Sequence, residues 1–88
     1  MYPLNEMLGD LHAAGFTPKE LTQMKEPQIS YLYVSLITDS WLWNQRLVRH
    51  PHPDHPGIYP NPEISLAQTL GGMTADEKTA LRQRLKKA

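Results

Sequence analysis

PQISYLYVSLITDSWLWNQRLVR, residues 27–49, is the stretch on which the fold turns. At about 100° per residue, Ile29, Leu32, Tyr33, Leu36, Trp43 and Leu47 fall on one stripe. Val34, Ile37, Trp41 and Val48 form an adjoining stripe, which widens the apolar arc to roughly 200°. A surface helix needs less. The segment is therefore expected to be one long central helix, either packed on two sides or presenting part of its face to a partner. The β-branched and aromatic run ISYLYVSLI would permit a strand locally, but length and period favour helix.

The flanking segments follow the same grammar. Proline sits at or near several helix starts (Pro3, Pro18, Pro27, Pro62), where its missing N–H removes no intrahelical bond. Leu4, Met7, Leu8 and Leu11 are spaced for a first helix, with Gly15 as its left-handed stop. Thr17-Pro18-Lys19-Glu20 reads as a capping box that opens a short second helix with Leu21 and Met24 inward. Thr74-Ala75-Asp76-Glu77 is a second capping box and opens the last helix, whose basic end suits the helix dipole. The expectation is an all-α single domain, 1–88, with helices at about 3–14, 18–25, 27–49, 62–70 and 75–87, four or five in all. A Pro/His-rich connector, 50–61, follows the long helix and is expected to be stiff and extended.

Composition bounds the function. The chain has 88 residues, 40% of them apolar and 20% charged, enough for one small core and too ordered a mixture for wholesale disorder. With no cysteine there are neither disulfides nor thiolate metal sites, and a cytoplasmic setting is the natural expectation. The start, MYPLNEMLGD, lacks the pattern of a signal peptide, and no apolar run reaches the ~20 residues of a membrane span. Net charge is zero but unevenly spread: residues 1–40 carry five acids against Lys19 and Lys25, and residues 74–88 carry five bases against Asp76 and Glu77. The two ends could pair within one chain, pair between chains, or face different partners.

Three groups of residues could carry function. RHPHPDHPG, Arg49 to Gly57, spells H-x-H-x-D-H and so resembles the zinc signature of the metallo-β-lactamase superfamily. That family places the motif at a strand end in a much larger αββα sandwich. Here no strand pattern precedes His50 and no distal ligands follow, so the match reads as coincidental. His50, His52, Asp54 and His55 remain a candidate for divalent-metal binding or, since imidazole titrates near neutrality, for pH sensing. The second group is aromatic. Tyr33 and Trp43 belong with the core stripe, whereas Tyr31, Trp41, Leu42 and Val34 are candidates for a partner-binding face. The third is basic: Lys78, Arg82, Arg84, Lys86 and Lys87 on the last helix could meet nucleic acid or simply be solvated.

The segment AAGFTPKELTQMKEPQISYLY, residues 13–33, resembles small bacteriophage tail-assembly proteins, in which a capped short helix steps into a longer one. The resemblance implies a small helical chaperone that binds a phage structural subunit without catalysis; a phage protein that binds a host factor would read the same way. No nucleophile elbow, phosphate-binding glycine loop or paired-carboxylate site is spelled out. The sequence therefore points to a non-enzymatic protein-binding module, with another protein as partner, self-association possible in principle, no cofactor and no membrane. A metal-binding protein or small metal-dependent enzyme using the His50–His55 loop is the rival reading, and nucleic-acid binding through the last helix the third.

Overall fold

A computed structural model describes residues 2–87, Lys87 through its backbone alone. Six helices are present among the described residues: α1 (Leu4–Ala13), α2 (Pro18–Thr22), α3 (Glu26–Ile37), α4 (Ser40–Arg49), α5 (Leu66–Gly71) and α6 (Ala75–Lys87). The all-α class holds. α1 packs on α3 and α5, while α3 also meets α4 and α6. The core comprises Met7, Leu11, Ala14, Phe16, Leu21, Ile29, Tyr33, Leu36, Leu42, Leu70, Met73, Leu81 and Leu85.

The long helix expected over 27–49 is two helices. Thr38 leaves helical geometry (φ −101°, ψ 0°), and Asp39 is extended and accepts the Leu42 N–H at 3.0 Å as the N-cap of α4. The Thr38 hydroxyl donates to the Val34 carbonyl at 2.7 Å. Thr-Asp-Ser is a run of residues whose side chains compete for backbone bonds, and Asp in particular favours a cap over a helix interior. The break resets the helical phase, so the single stripe does not run through. Leu42, expected on a partner-binding face, is buried, and Trp43, expected in the core, is 41% exposed.

Elsewhere local rules decide the elements. α1 ends in a full Schellman turn: Gly15 N–H donates to the His12 carbonyl and Phe16 N–H to the Leu11 carbonyl, with Gly15 at φ +107°. A side chain there would be strained, and its Cβ would also sit 3.2 Å from Arg82 Cδ. Both capping boxes form, at Thr17/Glu20 and Thr74/Glu77. The helix expected from residue 62 begins at Leu66 instead. Asn61 Oδ1 accepts from the Glu63 N–H in a side-chain-closed turn, and Ser65 then caps α5 in a box with Gln68.

The 50–61 connector is not an extended spacer. It folds into a small hairpin: His52 N–H donates to the Tyr59 carbonyl (2.9 Å) and Asn61 N–H to the His50 carbonyl (2.8 Å), with Pro51 opposite Pro60. The His55 carbonyl closes the turn by accepting from Ile58 and Tyr59, and Gly57 takes φ +84°. Pro51 and Pro60 are tolerated because the two cross-strand bonds take their donors from the next residues, His52 and Asn61.

Candidate functional site

An apolar groove lies between α1, α2 and the start of α3. Leu4 and Leu8, one turn apart, form one wall; Pro18, Leu21, Met24 and Ile29 form the other, around a cavity of about 550 Å³. His12, Thr22 and Glu26 are its polar margin. Gly9 lies in the α1 wall, and a Cβ built on it would meet nothing within 4 Å. A mid-helix glycine weakens a helix by about 0.5–1 kcal/mol relative to alanine. No packing inside the chain requires one here.

Behind the groove α1 is fixed to α3 by a buried polar bond. The Tyr33 hydroxyl donates to Asp10 Oδ2 at 2.7 Å, and the Tyr2 ring stands edge-on to Tyr33, with centroids 5.0 Å apart. Burial first, and the Asp10 carboxylate second, hold the Tyr33 phenol well above its ordinary ionisation range. The hydroxyl stays a donor, and the carboxylate keeps a partner.

A second cleft, of about 450 Å³, lies where the hairpin folds toward α4, lined by Trp43, Arg46, His52, Tyr59, Pro60 and Pro62. His52 Nδ1 accepts from the Asp54 N–H at 3.0 Å, which leaves Nε2–H as the donor of the neutral ring. The His52 and His55 rings lie 5.0 Å apart, and His55 meets Tyr59 edge-on at 6.0 Å.

The chain matches no family model, no curated protein and no solved structure.

Function has therefore to be read from where the chemistry-bearing residues stand. Of the expected partner face, Tyr31 and Val34 are exposed on α3, at 64% and 47%. Trp41 is half-buried against the core, and Leu42 is a core residue, so the four do not make one surface. The reason is the break at Thr38–Asp39. The histidine set does not converge either: among the described residues no group of three or more His, Cys, Asp or Glu is placed to hold a metal ion. His50 offers its carbonyl to the hairpin and His52 uses Nδ1 internally, while Asp54 and His55 stand exposed.

The basic residues divide. One Arg82 guanidinium nitrogen reaches both Glu20 oxygens (2.9 and 3.0 Å), with the group over the Phe16 ring at 5.2 Å. Arg84 Nε holds both Asp39 oxygens, at 3.0 and 3.2 Å. Two of the expected nucleic-acid contacts are thus already neutralised by the acidic front of the same chain. Lys78 is half-buried, Lys86 is exposed, and the Lys87 side chain lies outside the described residues. No helix among the described residues is long and apolar enough to cross a membrane.

Two features escaped the sequence reading. The groove was hidden because Leu4, Leu8 and Met24 carry the same inward signature as true core residues. Arg46 was missed because nothing in the sequence distinguishes a basic residue with an internal partner from one without.

Proposed function

We propose that this chain is a non-catalytic protein-binding module, and that the groove between α1, α2 and α3 receives an amphipathic helix of the partner. The observation that carries this reading is Gly9. It is a helix-weakening residue with no internal packing role, set in the wall of an apolar groove that the chain leaves open. Local rules broken without internal compensation tend to mark function. A helix laid into such a groove anchors through side chains at i, i+3, i+4 and i+7, and a glycine lets its backbone approach closely. The segment that resembles phage tail-assembly proteins, residues 13–33, contains the whole of α2 and the start of α3. On that resemblance the partner is a phage structural subunit or a host factor.

Gly9→Trp tests the proposal, since it fills the groove without entering the core. Partner capture by affinity pull-down, and fluorescence of the apolar probe anilinonaphthalene sulfonate, should both be lost while the thermal melt stays within a few degrees of wild type. A partner retained at full strength by Gly9→Trp, and by Leu8→Glu as a second variant, would sink it. Tyr31 and Val34, which remain exposed together on α3, are then the next surface to substitute.

A further inference from the structure

The second cleft has different chemistry. Of the four arginines, three are held by carboxylates of the same chain: Arg49 by Glu77, Arg82 by Glu20 and Arg84 by Asp39. Arg46 is half-buried yet makes no hydrogen bond or ion pair among the described residues. It lines a cleft with no acidic residue in it. The polar groups there are donors or can donate: the Arg46 guanidinium, the His52 Nε2–H and the Tyr59 hydroxyl. The walls are apolar and rigid, made of Trp43, Tyr59, Pro60 and Pro62, with the two aromatic rings 41% and 52% exposed.

We infer that this cleft binds an acidic peptide segment of a partner, with one Asp or Glu carboxylate on Arg46 and the neighbouring apolar side chain against Trp43 and Tyr59. Charge complementarity commits the site to an anion, because a guanidinium matches a carboxylate with paired N–H donors. It does not commit the site to a nucleic acid, which needs a track of cations along its phosphates. Here Arg49, Arg82 and Arg84 are spent on internal partners, and net charge is zero. Aromatic anchors beside one charged group are the usual composition of a peptide-binding hot spot. The site goes beyond the groove: α4 and the hairpin form it, and neither contributes to the groove.

The test is a display selection of random dodecapeptides against the full chain, followed by synthesis of the enriched sequences with acetylated and amidated ends. The expected result is enrichment of Asp or Glu beside an aromatic, aliphatic or proline residue. Binding, read from tryptophan fluorescence, should weaken about tenfold or more on Arg46→Gln, or on Glu→Gln in the peptide. Trp43→Ala should weaken it as well, and Lys86→Gln should not. Arg46→Lys keeps the charge without the planar fork; it is expected to fall between wild type and Arg46→Gln, and it serves if the glutamine variant does not fold. No enrichment, enriched peptides without an acid, or equal binding by Arg46→Gln would each overturn the inference. So would loss of binding on amidation, which would make the site a reader of chain ends, or Arg46-dependent binding of oligothymidylate. Failure here leaves the groove untouched, because Gly9→Trp tests that separately.

Discussion

Tyr33 shows how much of a small fold can rest on one side chain. Its ring belongs to the core, and its hydroxyl is the sole partner seen for the Asp10 carboxylate that α1 carries inward. Tyr33→Phe preserves the ring and leaves that carboxylate unpaired, at a cost of about 1–3 kcal/mol measured by urea unfolding. The same bond fixes a sign at high pH. An ordinary tyrosine ionises near 10.0, and the buried one resists above that value. The folded chain then holds a proton that the unfolded chain releases, so stability is complete below about pH 10 and is lost as pH rises beyond it. Tyr33→Phe should flatten that alkaline decline in a pH series of melts. A decline of unchanged slope would mean that another group governs it. The sequence placed Tyr33 in the core from its spacing, but it gave no sign that Asp10 would accompany it. A lone aspartate on an apolar helix face looks like any other polar interruption until its partner, 23 residues away, is in position.

At the scale of elements, the turn at Thr38–Asp39 is the decisive feature. Asp39 caps α4 through Leu42 N–H and also receives Arg84, so one carboxylate orients two helices. Asp39→Ala should cost about 1–2 kcal/mol, the upper range for a lost N-cap. Asp39→Asn keeps an acceptor for Leu42 and gives up most of the attraction to Arg84, so it should recover at least half of that loss in thermal melts. If the two variants are equally damaged, the ion pair outweighs the cap. Helix existence was legible throughout, because periodicity and capping boxes are local. The break was not, although Thr38-Asp39-Ser40 spells it: an apolar pattern of 23 residues outweighed three polar ones in the reading. The four residues expected on one partner face were separated with it: Tyr31 and Val34 stay exposed on α3, and Leu42 does not. Leu42 went inside and Trp43 came out, since a change of phase moves every residue that follows.

For the whole molecule, the uneven charge of the sequence turns out to be internal wiring. α6 reaches α2 through Arg82–Glu20 and the α3–α4 junction through Arg84–Asp39, while Arg49 of α4 returns to Glu77. Glu20 and Glu77 have their carboxyls held below the ordinary 4.5, chiefly by the Thr17 and Thr74 backbone amides, with Arg82 and Arg49 adding attraction. Folded values below unfolded ones mean that this stabilisation is present above about pH 4.5 and drains away as pH falls past it. Melting temperature should therefore drop on acidification from that point. In the double variant Glu20→Gln, Glu77→Gln the acid limb should be shallower and the melt at pH 7 lower. An acid limb identical to wild type would assign it to other carboxyls. That the two charged ends could pair within one chain was readable in the sequence; which acid took which base required the fold.

The hairpin carries one more consequence. It is the only strand-like pairing among the described residues, and a short exposed ladder is ordinarily an invitation for another chain to add itself. Here the two residues facing each other are Pro51 and Pro60, neither of which owns an N–H, and the flanking donors of His52 and Asn61 are already committed to each other's strand. The paired positions therefore offer a newcomer carbonyl acceptors but no N–H donor, so a ladder cannot extend in register. The prolines that make the loop look like a spacer thus also act as a safeguard against fibril growth, and they leave the aromatic rings beside it available for recognition without making them a seed for self-assembly.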